Sequence, residues 1–136
     1  GSVFWRANFT EDQLPMVSGY SISVETDKLL VHRWDEGTPR QMASSLDLDL
    51  KTTKSLEFVI FYIGTQFSIQ IYDAETLNLL KSFVLSDSAY LAGHLGFRAY
   101  RRQSKDSVWE HVSVIDAATT DPSTENLPIG AMRCCK

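Results

Sequence analysis

The sequence predicts an all-β fold, an antiparallel two-sheet β-sandwich of jelly-roll-like order followed by a C-terminal linker or strap. Three observations predict it. Apolar residues recur with period two in one segment after another, turn residues separate the candidate strands at intervals of about ten positions, and no long stretch keeps a helical period. At 136 residues the chain is long enough to bury a core without disulfide staples. Its 43% hydrophobic and 11% aromatic content is that of an ordinary folded protein.

The first candidate strand is "SVFWRANF" at 2–9. In 18–25, Tyr20, Ile22 and Val24 share one face and Ser21, Ser23 and Glu25 the other, which predicts a core side and a wet side. Thr26-Asp27 links it to "KLLVHRW" at 28–34. Asp35 to Pro39 then reads as a five-residue turn ahead of a strand over 40–49, where Leu46, Leu48 and Leu50 alternate with Asp47 and Asp49. The run "SLEFVIFYI" at 55–63 is apolar, β-branched and aromatic, and predicts a strand covered on both sides.

Gly64-Thr65 turns the chain into 66–72, and Asp73 to Thr76 turns it again before "LNLLKSFVLS". These three strands predict an antiparallel meander. Only residues 74–81 offer a helical alternative. Segments 92–101 and 107–116 complete nine candidate strands. After Asp116 the sequence turns polar, holds two prolines and loses its alternation, so 1–116 is expected to be the domain and 117–136 a linker or strap, with Leu127, Ile129 and Met132 available to dock.

Composition narrows the function. A net charge of −4 argues against nucleic acid, which usually demands a strongly basic face. The longest apolar run, Leu56 to Ile63, is broken by Glu57 and falls far short of the roughly 18 residues of a membrane span, so no membrane insertion is expected. The opening Gly-Ser reads as an expression scar in front of a domain excised from a larger protein. Cys134 and Cys135 are adjacent near the end and cannot close a loop through the core. No metal-ligand spacing occurs, and neither a metal nor a cofactor is expected. Asn8-Phe9-Thr10 matches the N-glycosylation triplet.

Residues 55–116 carry a recognisable order: the pair "EFVIFYIGTQFSIQIYD", then Gly93-x-x-Gly96-Phe97-x-Ala99, a loop, and Trp109 with Val112-Ser113-Val114. This order resembles the second half of concanavalin A-like jelly rolls, the lectin/glucanase and laminin-G-like sandwiches. The resemblance implies a two-sheet fold, carbohydrate recognition, and an extracellular or secretory setting, whereas the lack of a mapped sugar site leaves protein recognition as the other reading. The residues agree with the fold, since Leu95, Phe97 and Ala99 alternate with His94, Gly96, Arg98 and Tyr100. Such relatives often bind calcium, yet no ligand set maps onto this chain, and Asp47 with Asp49 would supply two of the six or more oxygens required.

No catalytic constellation emerges. The Glu-x-Asp-x-x-Glu strand of the related glucanases is missing, and "ETDK" at 25–28, the nearest run, falls on a turn. His32, His94 and His111 lie on separate strands, and no serine sits in a Gly-flanked elbow. Galectin-type sugar-binding strands share residue types with "VHRWDEG" and "VWEHVSV" but not their order. The chain is therefore expected not to be an enzyme.

Recognition remains. His94, Arg98 and Tyr100 share a strand face, Arg101, Arg102 and Lys105 follow, and guanidinium groups bind carboxylates or sulfates through paired hydrogen bonds. The ordinary alternative is a solvated strand end whose charges are screened. Among the aromatics, Trp34, beside the turn at 35–39, is the tryptophan expected to be exposed. Two readings follow: a non-catalytic module binding a glycan, acidic ones included, or a protein-interaction or adhesion domain capable of self-association as a homo-oligomer.

Overall fold

A computed structural model describes residues 2–9, 17–25, 28–45, 55–98, 111–116 and 129–135, with side chains described through residue 96. Ten strands occupy them: β1 (Ser2–Phe9), β2 (Val17–Val24), β3 (Leu29–Asp35), β4 (Thr38–Ser45), β5 (Leu56–Ile63), β6 (Gln66–Asp73), β7 (Leu79–Ser86), β8 (His94–Arg98), β9 (His111–Asp116) and β10 (Ile129–Cys135). No helix occurs among the described residues, and 74–81 is a turn followed by the start of β7. Two five-stranded sheets result, ordered β4-β3-β2-β1-β8 and β7-β6-β5-β10-β9. All pairings are antiparallel. The chain is all-β, with the two antiparallel sheets that a β-sandwich requires.

Each sheet belongs to its own compact unit, one formed by residues 1–52 and 89–107 and the other by 53–88 and 108–136. In the first, Val3, Ile22 and Val31 lie opposite one another across β1, β2 and β3, next to the pair Trp5 and Tyr20, and all five are buried. Period-two alternation places them on one face. Burying each such side chain contributes about 1.5–3 kcal/mol, an upper figure because the unfolded chain is already partly compact.

The other face of β2 departs from its alternation. Ser21 and Ser23, expected to be wet, are buried. Both hydroxyls are hydrogen-bonded, Ser23 Oγ to Ser2 Oγ at 2.8 Å and Ser21 Oγ to the donating Trp34 Nε1 at 2.8 Å. A hydroxyl can leave water cheaply only when it finds such a partner.

The β3–β4 connection is tighter than the five-residue turn expected. Asp35 pairs with Thr38, so Glu36 and Gly37 alone form the loop, both at positive φ (49° and 83°) as a two-residue hairpin demands. Pro39 therefore sits inside β4. The strand tolerates it because, among the described residues, no strand pairs with the outer side of β4. The leucines and aspartates of 46–50 lie outside the described residues.

In the second unit, β5, β6 and β7 form the expected meander. Phe58 faces Ile71, Ile60 faces Ile69, and Ile69 faces Phe83, so one register row after another closes a buried apolar face. Gly64 opens the β5–β6 loop at φ 55°. The β6–β7 turn is held by Asp73, whose Oδ1 accepts the backbone N–H of Glu75 at 2.8 Å and of Thr76 at 2.9 Å. Those amides, that of Thr76 above all, hold its carboxyl below the usual carboxylate range.

One feature of this sheet differs from expectation. β5 is covered on both sides only over its first half, since Phe61 and Ile63 each remain 42% exposed. Within the stretch read as a linker or strap, β10 lies between β5 and β9 and pairs with both along its length.

Candidate functional site

The first sheet carries the candidate site on the face bearing Trp34. Phe4, Ala7 and Val17 form a small buried cluster there, and Trp34 packs against it. The Phe4 ring is 6.0 Å from the Trp34 ring and 6.1 Å from that of Phe9, the latter edge-on. His32, two residues before Trp34 on the same strand face, lies 6.1 Å from it. Three aromatic rings thus run side by side over β1 and β3. Their outer members, Phe9 at 46% exposure and the half-buried Trp34, reach solvent.

Trp34 is less exposed than its position beside a turn implied. The short hairpin and the Ser21 hydrogen bond hold the indole down on the sheet. Its orientation is thereby fixed before any ligand arrives, which lowers the entropic cost of binding.

Local backbone geometry makes room for the rings. β1 bulges between Trp5 and Asn8 against β2 and between Phe4 and Ala7 against β8, with Arg6 at φ 47° and buried. A bulge bends its strand and redirects the side chains that follow. Gly96 of β8 lies opposite Phe4, and a Cβ there would come within 2.5 Å of Phe9 Cζ. The glycine leaves the space that the Phe9 ring occupies.

Of the residues nominated from sequence, His94 is exposed at the start of β8 and pairs with Ala7. Arg98 closes the same strand opposite Ser2. Trp34 and His94 thus belong to one sheet on strands separated by β2 and β1, about 14 Å apart at roughly 4.8 Å per strand. Tyr100, Arg101 and Arg102 lie outside the described residues, as does Lys105.

A polar network anchors the approach to β8. Asp35 Oδ2 accepts from Arg33 Nε at 3.0 Å and Nη2 at 2.9 Å, while Oδ1 accepts from the Tyr90 hydroxyl at 2.8 Å. That bond to Asp35 raises the Tyr90 hydroxyl above the usual phenol value. The backbone N–H of Tyr90 donates to the Tyr20 hydroxyl at 3.2 Å, and Arg6 Nη1 donates to the Tyr90 carbonyl at 3.4 Å. The segment leading into His94 is therefore fastened to β1, β2 and β3.

Sequence reasoning passed over Phe4 and Phe9. Phe9 ends its strand, where a pattern argument sees only one more apolar residue. Its exposure follows from the bulge at Arg6, which no period announces. Among the described residues, no group of three or more His, Cys, Asp and Glu could hold a metal ion, and no helix is long and apolar enough to cross a membrane. No protein-family model matches the chain, and neither curated proteins nor solved structures give a match.

Proposed function

We propose that this chain is a non-catalytic recognition module that binds a glycan on the aromatic face of its first sheet. The observation that carries this reading is the row Trp34, Phe4 and Phe9, whose outer rings are solvent-accessible while Trp34 is fixed by Ser21. Flat rings held in place offer a sugar a large apolar contact at small entropic cost. The distance to β8 suits an oligosaccharide better than a single sugar, with His94 and Arg98 supplying polar and cationic groups at the far strand. Acidic or sulfated sugars fit those groups best. The resemblance to concanavalin A-like sandwiches supports the same assignment and a working place outside the cell, with no cofactor, nucleic acid or membrane insertion involved.

A glycan array that includes acidic and sulfated sugars, followed by titration calorimetry on the hits, tests this. Trp34→Ala and Phe9→Ala are each expected to weaken binding by about tenfold, the scale of one lost ring contact. Arg98→Ala is expected to weaken binding of acidic sugars and flatten its salt dependence. Silence across the array, or hits indifferent to both ring deletions, overturns the proposal.

A further inference from the structure

β7 ends the second sheet, and no strand lies beyond it among the described residues. The backbone N–H of Asp87 donates to the Thr65 carbonyl at 2.9 Å, which fixes the direction of every amide along the strand. Residues 81, 83 and 85 turn their backbone groups toward β6, so Ser82, Val84 and Ser86 aim theirs outward. The end strands differ in how they guard this edge. β4 carries Pro39 and Arg40, which discourage edge pairing, while each of the two strands has one register shift against its neighbour, that of β7 lying between Leu79 and Lys81. From Lys81 to Ser86, β7 keeps an unbroken register with β6, and Ser82 to Ser86 contains neither charge nor proline.

We propose that the chain self-associates through the outer edge of β7, two copies pairing antiparallel about a two-fold axis at Val84. The sequence is self-complementary about that point. In this register Val84 faces the partner's Val84, Ser82 faces the partner's Ser86, and Lys81 faces the partner's Asp87, each unlike-charge pair occurring twice by symmetry. The outward backbone groups of 82, 84 and 86 then meet their counterparts in hydrogen-bonded pairs. Centring the axis on Ser82 or Ser86 sets Lys81 against Phe83 or Leu91 and loses the charge match.

The side chains support the same register. Val84, 78% exposed, lies opposite Ser68, which lies opposite the exposed Phe61. All three occupy the face away from the buried row of Ile60, Ile69 and Phe83. Pairing two β7 strands brings both Val84 side chains together and continues one row from Phe61 of one copy to Phe61 of the other, with Ser68 between Phe61 and Val84 in each. This edge belongs to the second sheet and the aromatic face to the first, so the inference goes beyond the sugar-binding reading.

Sedimentation velocity over a concentration series tests the inference on the full chain, with circular dichroism to confirm folding. The wild type is expected to reach twice the monomer mass. Val84→Pro removes an outward donor that β6 does not use and is expected to leave a folded monomer. Val84→Lys, which sets two ammonium groups face to face, provides the same readout should the proline variant not fold. Lys81→Asp is expected to weaken association by about tenfold, and Lys81→Asp with Asp87→Lys to restore it. A wild type that stays monomeric at all concentrations, a dimer indifferent to Val84→Lys, or a double variant no better than the single one overturns the proposal.

Discussion

His32 shows how one side chain records the burial of its surroundings. Its Nδ1 is buried and finds no hydrogen-bond partner among the described residues, while the ring packs beside Trp34. Burial lowers its pKa below the ordinary value near 6.5, and the Glu25 carboxylate offsets part of that shift. Because the folded state takes up its proton at lower pH than the unfolded chain, the unfolded chain binds more protons just below about pH 6.5. The stabilisation from a neutral His32 is therefore complete above that pH and is lost as pH falls toward the folded value. Urea unfolding at a pH above 6.5 and again about one unit below it should show this loss in the wild type and a shallower one in His32→Gln. Equal slopes in the two proteins would remove His32 as the cause.

At the scale of strands and turns, alternation placed the core residues of β2 and β6. Tyr20 with Ile22 and Phe67 with Ile69 and Ile71 are buried as their period implies. It misplaced Ser21 and Ser23, because period two reports only that two faces differ. It does not report that a neighbouring indole and a second serine cover the polar one. The bulge at Arg6 was equally silent in the sequence, and two glycines on the flanking segments lie close against it. A Cβ at Gly19 would meet Ala7 Cα at 2.6 Å, and one at Gly93 would meet the Arg6 carbonyl carbon at 2.4 Å. Gly19→Ala, at φ 143° and against backbone, should destabilise the protein by about 2 kcal/mol or more. Gly96→Ala meets only the far end of the Phe9 ring, so it should displace that ring, reduce sugar binding and cost less stability. Thermal melts beside calorimetry separate the two outcomes, and equal losses of stability would show that Phe9 cannot yield.

For the whole molecule, the chain visits the sheets in blocks: β1 to β4 in the first, β5 to β7 in the second, β8 back in the first, β9 and β10 in the second. Local patterning revealed the hairpins and the meander, since their partners are neighbours in sequence. It could not reveal β10, whose pairing with β5 joins Ile129 to Ile63 and Cys135 to Glu57 across about half the chain. Nor could it bring Trp34 and His94 into one sheet, which depends on β8 returning beside β1. The position of β10 has a consequence for any attempt to trim this chain. A linker can be removed without harm, whereas removing a strand from between two others exposes the edges of both β5 and β9 and leaves their outward backbone groups without partners. Ending the chain after Pro128 should therefore abolish the cooperative unfolding transition of the second sheet or drive the protein into aggregates, as read by urea denaturation and light scattering. The edge strand gives the control, because Pro39→Ala in β4 alters a position with no outward ladder to lose and should change stability by well under 1 kcal/mol, roughly the range of surface substitutions. A truncated chain that melts like the intact one would mean that β10 contributes nothing to the sheet it occupies.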